Sequence, residues 1–415
     1  MKLMQPVRGT HDLFGEDVLK YRTIHQRLAT VCARYGFSEI KTPIFEFSHV
    51  FERTLGDSSD IVTKEMYSFI DKGGEAICLR PEGTASVVRA FISEGLTHSL
   101  PLKFFYEGPM FRYERPQKGR YRQFYQVGVE LMGVESEAAD VEVLSLSHNL
   151  LSELKLNDKV KLEINSIGDA ESRSNYRKVL VDYYNGHKNQ LSEDSLKRLE
   201  TNPLRILDSK SKSDSEINKN APLLIDHLNP SSKSRFLNIQ GELKNLGIGF
   251  SLNPHLVRGL DYYSHLVFEY KTDLLGAQDA VLSGGRYDGL SEVMGGPKTP
   301  SVGWAAGVER LSALLTDTEP HARGVTLIPL GDKAKSHALK LSHELRKSGL
   351  VVDLGYSGNL SSRLQKATKR NSKIACIFGD EELSQNVFSV KNLDAGTQEK
   401  INGSELEAHL RKLLS

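Results

Sequence analysis

Three cysteines in 415 residues, Cys32, Cys78 and Cys376, are too few and too far apart for a disulfide framework. They point to a reducing compartment. No CxxC pair occurs and the histidines show no HxxxH spacing, so a structural zinc site is not expected. A formal net charge of +1 gives no bulk excess of either sign, so a nucleic-acid partner would have to be met by local patches. No apolar run approaches the roughly 20 residues of a membrane span. The opening stretch MKLMQPVRGTHDLF has neither an apolar signal core nor an Arg/Ser-rich presequence, so a cytoplasmic protein is expected. GxxxxGK[ST], GxGxxG and GxSxG are all missing, as is a Cys/His nucleophile constellation. A nucleotide, if used, would have to lie on an antiparallel platform.

What is present reads as an ordinary globular chain, 39% hydrophobic and 26% charged, long enough for two or three domains. A helix is expected from about Glu16 to Tyr35, stopped by Gly36. A strand from Phe37 to Glu46 follows, with Pro43 marking an edge or a change of pairing partner. Thr84 reads as the N-cap of a helix to Glu94, with Glu82 favouring its dipole. Further expected elements are a helix from Ser136 to Leu154 and a strand from Lys159 to Ile167. From Asp169 to Gly247 the pattern turns helical and polar, an inserted module whose Asp208–Glu216 run reads as a solvated loop. Sheet sequence resumes at Gly249, with a strand His265–Lys271. Leu282–Gly289 reads as a glycine-rich turn, and Pro300–Leu311 as the entry to a helix. After a linker at Thr316–Gly324 the period becomes βαβα to the end, a small α/β domain. Between Arg323 and Lys373 it carries eleven Lys/Arg against Asp332, Glu344 and Asp353, a face suited to RNA.

The stretch from Pro109 to Glu130 carries the chemistry. It reads as two strands, Leu102–Glu114 and Gln123–Gly133, joined by a loop bearing Arg115, Lys118, Arg120 and Arg122. Alternation places Met110, Arg112 and Glu114 on one face of the first strand. In the second it places Phe124, Gln126, Gly128 and Glu130 together, with Tyr125, Val127, Val129 and Leu131 opposite. A glycine between an amide and a carboxylate in mid-strand suggests the floor under a ligand. Arg112 would reach a phosphate, Phe124 would stack a base, and Arg310 would reach the far end of a polyphosphate. With Arg258, three arginines from separate segments suit displacement at phosphorus by positioning and charge stabilisation. Glu82, Gln126, Glu130, Tyr262 and Tyr263 are left to bind a small cationic or hydrogen-bonding substrate.

These residues also carry a resemblance. Gly36–Pro43, Phe111–Glu114 with Gln123–Phe124, and Gly303–Arg310 are similar to the three motifs of class II aminoacyl-tRNA synthetases. Leu256-Val-Arg-Gly-Leu-Asp-Tyr-Tyr263 and Ser283-Gly-Gly-Arg-Tyr-Asp-Gly289 resemble the two signature segments of the histidyl-tRNA synthetase family, and Arg80–Thr84 and Arg115–Arg122 add to that resemblance. The resemblance covers essentially the whole chain and implies an α/β (α+β) protein. Its class II antiparallel β-sheet core, flanked by helices, would take residues 1–168 and 248–318. A helical insertion domain would span 169–247, and a C-terminal mixed α/β anticodon-binding domain 323–415.

The implied reaction joins L-histidine to tRNA(His) through a histidyl-adenylate, with MgATP as substrate and Mg2+ arriving with it. Arg258 and Arg112 would be catalytic. Glu82, Gly83, Thr84, Arg112, Gln126, Glu130, Arg258, Tyr262 and Tyr263 would bind histidine. Arg112, Glu114, Arg120, Phe124 and Arg310 would bind ATP, and no protein metal site is implied. The family also implies a homodimer. Trp304 and Tyr125 stand where the family more often has a smaller aromatic and a histidine. Two other readings compete: a non-catalytic, histidine-sensing relative of the synthetase core, and an RNA-binding module with a vestigial core. The intact Arg258 and Arg310 and the full terminal domain weigh against the first, and the complete Glu82–Glu130 set against the second.

Overall fold

The computed structural model describes residues 3–55, 59, 61–117, 119–207, 209, 211–257, 262–276, 279–316 and 322–415. The chain divides into two compact units, Met1–Thr318 and Glu319–Ser415.

The first unit opens with helix α1 (Glu16–Arg34), whose Ile24, Leu28 and Val31 repeat at helical spacing and are buried. Gly36, at φ 74°, ends it in a left-handed turn that other residues resist. Strands β1 (Ser38–Glu39) and β2 (Phe45–Phe47) follow, then helix α2 (Ser48–Leu55), β3 (Tyr67–Ile70) and β4 (Ala76–Leu79). Next come α3 (Thr84–Ser93), β5 (Leu102–Phe111), β6 (Gln123–Met132), α4 (Glu137–Glu153) and β7 (Lys161–Ser166). Helices α5 (Ala170–Asn185), α6 (Glu193–Thr201), α7 (Lys212–Asn218) and α8 (Pro230–Asn245) form the expected helical stretch. The unit closes with β8 (Ser251–Leu252), β9 (Ser264–Lys271), β10 (Ala280–Arg286), α9 (Leu290–Val293), β11 (Ser301–Gly307) and α10 (Val308–Leu314).

Eight of these strands make one sheet in the order β1-β5-β6-β11-β10-β9-β7-β8, antiparallel except at its two ends. Strands β2, β4 and β3 make a separate small sheet. The single strand expected over Phe37–Glu46 is therefore two. Pro43 lies between them, and the chain changes sheet there, since proline cannot donate to a ladder.

Two other expectations are corrected. Leu282–Arg286 is strand, not turn, and Ser301–Gly307 is strand before α10 begins. Glycine disfavours strands in isolation, but here it lets neighbours close up: a Cβ on Gly284 would strike the Gly303 carbonyl and Trp304. On one face of the sheet, Val127, Val129 and Leu131 of β6 join Val302, Trp304 and Ala306 of β11 beneath α1, α4, α8 and α10. On the other, Val87, Val88 and Phe91 of α3 pack on Tyr106, Met110 and Met132. The helical insertion packs around Tyr176, Leu180 and Tyr184 in a cluster that also takes in Leu256, Tyr263 and Val267. Its serine-rich run is not simply a solvated loop. Asp214 is fully buried and accepts from the hydroxyls of Ser192 (2.7 Å), Ser195 (2.7 Å) and Ser209 (2.6 Å).

The second unit contains β12 (Val325–Leu330), α11 (Asp332–Lys347), β13 (Val352–Leu354), α12 (Leu360–Lys369), β14 (Ile374–Gly379), α13 (Asp380–Ser384), β15 (Val387–Asn392), β16 (Gln398–Asn402) and α14 (Leu406–Leu414). Its sheet order is β13-β12-β14-β15-β16, the first three strands parallel and the last two antiparallel. Strand β16, QEKIN, is mostly exposed on the sheet edge, so no apolar alternation announces it. Several of the basic residues of this unit are structural: Arg370 pairs with Asp353, Arg323 with Asp394, and Arg363 holds the Pro329 carbonyl. Among the described residues no helix is long and apolar enough to cross a membrane.

Candidate active site

On the α3 side of the large sheet, one cleft brings together Glu82, Thr84, Arg112, Glu114, Arg120, Phe124, Gln126, Tyr262, Tyr263 and Arg310. They come from the approach to α3, both arms of the β5–β6 hairpin, the residues before β9, and the start of α10. Three residues expected in the site stand otherwise. Gly83 and Glu130 lie behind the cleft wall, and Arg258 falls outside the described residues.

The β5–β6 pairing sets the frame, with Tyr106 opposite Gly128, Phe104 opposite Glu130 and Met110 opposite Phe124. The expected face of β6 does turn toward the cleft. The glycine in it, however, serves a protein side chain. A Cβ on Gly128 would strike the Tyr106 ring and come within 2.8 Å of the Trp304 carbonyl, and a Cβ on Gly83 would strike the same ring from the other side. Tyr106 occupies the space read from the sequence as a ligand floor.

Glu82 caps α3, and Thr84 does not. The Glu82 carboxylate accepts the backbone N–H groups of Thr84 (2.7 Å) and Ala85 (2.8 Å), at the positive end of the helix. That leaves the Thr84 hydroxyl to donate to Glu130 at 2.7 Å. The second Glu130 oxygen accepts the Tyr287 hydroxyl. Burial raises the pKa of both carboxyl groups, that of Glu130 to about 8. Two hydrogen bonds each, and for Glu82 the nearby Arg112, only partly offset the loss of water. Gln126 adds a buried carbonyl oxygen with no hydrogen-bond partner among the described residues. Buried acceptors are normally paired, so this one marks a place for a donor from outside the protein.

The outer half of the cleft is cationic. Arg112 donates to the Pro81 carbonyl at 2.9 Å and lies 5.2 Å from the centre of the Phe124 ring. Glu114 pairs with Arg120 and stands 3.9 Å from Arg112. Arg310, at the junction of β11 and α10, donates to the Ala280 carbonyl at 2.6 Å. Its pKa is lowered, first by burial and then by repulsion from Arg120 and Arg112. Three guanidinium groups crowded against one another are relieved by a polyanion, and such groups grip phosphate well.

Some residues of the site have no role assigned by the sequence. Tyr287 lies within a signature segment but carries no implied function there. Tyr121, Ser283 and Glu309 line the cleft, and Tyr287 stands behind it on Glu130. Glu309 accepts the Tyr125 N–H at 2.8 Å, and burial pushes its carboxyl up to about 7. Its position immediately before Arg310 was the available signal.

Comparison with known proteins bears on the family of the whole chain. Residues 9–311 match the family model described as histidyl-tRNA synthetase, and residues 324–413 match that of the anticodon binding domain. The chain is 54% identical to the histidine–tRNA ligase of Rhodospirillum rubrum over 415 residues, all of both chains. It is 48% identical to the histidine–tRNA ligase of Gluconobacter oxydans over 406 residues, 98% of each. The crystal structure of apo S. aureus histidyl-tRNA synthetase is similar with a TM-score of 0.83 and 34% identity, covering 99% of this chain and 100% of that one. A likeness that runs through the cleft and continues to the last strand and helix leaves one placement: the chain belongs to the histidyl-tRNA synthetase family.

Proposed function

We propose that this cleft activates L-histidine with ATP and passes it to tRNA(His), releasing AMP and diphosphate. The observation that carries the reading is the convergence of ten motif-derived residues from separate segments on one cleft. The desolvated Glu82 carboxylate and the open Gln126 oxygen suit an α-ammonium group, which restores the charge that burial disfavours. Thr84 completes that subsite, and Gly83 shapes it by admitting Tyr106. Tyr262 and Tyr263 flank the imidazole. Glu130, behind the cleft wall, is the acidic end of the chain formed with Thr84 and Tyr287 and orients the Thr84 hydroxyl at the edge of the histidine subsite.

Arg112 spans the histidine carboxylate and the α-phosphate. Phe124 and Glu114 hold the adenosine end, while Arg120 and Arg310 hold the outer phosphates. Magnesium enters with ATP as part of that substrate. A carboxylate oxygen of histidine attacks the α-phosphorus, the bond to the bridging oxygen breaks, and diphosphate leaves with its electron pair. The 3′-hydroxyl of the tRNA terminal ribose then attacks the adenylate carbonyl and AMP leaves. Its phosphate oxygen is the nearest base for the hydroxyl proton. Positioning and charge do most of the work in such displacements. Arg258 stabilises the α-phosphate by family resemblance, so Arg258→His slows adenylate formation more than transfer; equal slowing in single-turnover assays removes that role.

Residues 1–168 and 248–318 form the catalytic core, 169–247 meet the acceptor arm, and 323–415 bind the anticodon. Two chains pair in the cytoplasm as a homodimer. Phe45, Phe47, Phe69 and Ile70 on the small sheet are large, apolar and exposed, which favours a protein partner there. The decisive experiment is ATP–diphosphate exchange with purified, folded protein. Exchange that requires histidine supports the proposal, and its absence overturns it.

A further inference from the structure

The insertion touches the back of the histidine pocket through α5. Arg173, in the first turn of α5, donates to the backbone carbonyl of Tyr263 at 2.6 Å. The Tyr263 ring is held as well. It is buried in the same apolar cluster as Tyr176, Leu180 and Tyr184 of the insertion, and Leu256 joins that cluster. On its sheet side it fills the gap over Gly285, where a Cβ would come within 2.8 Å of it. Its other neighbour is Tyr262, with ring centres 4.7 Å apart. Tyr262 and Tyr263 both line the cleft. The wall of the imidazole subsite is therefore clamped between a catalytic strand and an insertion helix, and Arg173 brings a positive charge to that clamp.

We propose that Arg173 is a positioning residue for histidine. By holding the Tyr263 carbonyl it sets the pitch of the two tyrosine rings, and it makes this one contact of α5 a determinant of histidine affinity. The inference rests on the proposed aminoacylation. It assigns a contact outside the cleft, on a helix that contributes no residue to the ATP subsite. A guanidinium donating to a carbonyl is a charge-assisted bond, stronger than a neutral one, and it fixes direction as well as distance.

The test uses the full-length protein in histidine-dependent ATP–diphosphate exchange. Arg173→Ala raises KM for histidine about tenfold, the lower end of what a charge-assisted bond is worth, and leaves KM for ATP within about twofold. Arg173→Lys, which keeps a charged donor, recovers much of the loss. Asp214→Ala serves as the control. It breaks the insertion's own serine network, lowers its thermal stability and leaves KM for histidine unchanged. An unchanged KM for histidine in Arg173→Ala overturns the inference, as does an equal rise in Asp214→Ala or in KM for ATP. If the wild-type protein shows no histidine-dependent exchange, the functional reading falls instead, so the two failures are distinct.

Discussion

The Thr84 hydroxyl donates to Glu130 at 2.7 Å, tying the first residue of α3 to the middle of β6. With Tyr287 on the other oxygen, Glu130 is fully buried, and its pKa is raised from 4.5 to about 8. A raised carboxyl pKa means that the folded protein keeps a proton the unfolded chain has released. Stability is greatest below about pH 4.5 on this account and falls as pH rises toward about 8. Thermal unfolding without histidine, from about pH 6 to about pH 9, will show this decline. Glu130→Gln removes its share and makes the decline shallower, the remainder coming from Glu82 and Glu309, whose carboxyl groups burial also raises; an equally steep curve in the variant excludes Glu130 as a source.

Glu82→Gln separates two roles of one side chain. The amide oxygen still accepts one of the two helix N–H groups, but the amide nitrogen cannot accept the other, so stability falls by about 1–3 kcal/mol and the helix stays capped on one side. The ammonium partner loses its charge, and KM for histidine rises roughly a hundredfold, the worth of a charged hydrogen bond. Equal losses toward histidine and ATP in the exchange assay would point to a disordered helix instead.

Gly128→Ala acts on folding before it acts on binding. The added methyl collides with Tyr106 and the Trp304 carbonyl, and overpacking of this kind costs about 1–3 kcal/mol. Urea unfolding should register the loss. A variant of unchanged stability with impaired histidine binding would restore the glycine as a ligand floor.

Gly9 is tied through Arg122 to the loop that bears Arg120. Its carbonyl accepts the Arg122 N–H at 2.7 Å, and its φ of 89° excludes a side chain, since a Cβ would lie 2.7 Å from Arg122 Cγ. His11 packs on Tyr121 with ring centres 4.4 Å apart. Gly9→Ala strains the backbone by about 1–2 kcal/mol and loosens the loop that bears Arg120. KM for ATP rises about tenfold while KM for histidine holds. No change in either constant would detach the N-terminal segment from the site.

The residues that make the site were legible because their signals are local. Period-two alternation placed Phe124, Gln126 and Glu130 on one face of β6 whatever lay above it, and charge type marked Arg112, Arg120 and Arg310 for phosphate. The helical insertion and the βαβα terminal unit were legible for the same reason, a change of period along the chain. Other features depend on neighbours remote in sequence. Gly284 and Gly285 read as turn formers and Gly303 as part of a helix entry, yet they lie in β10 and β11 because Trp304, Tyr263 and Glu130 need the room their side chains would take. The Thr84 hydroxyl reads as a helix cap, and only the nearness of Glu130 turns it away. The sequence by itself determined which chemical groups the chain carries and the class of reaction they suit. Tertiary packing alone decided which glycine makes room for which ring, which carboxylate is buried deeply enough to keep its proton, and which helix of the insertion holds Tyr263, because close contact and exclusion of water are properties of neighbours and not of residue type.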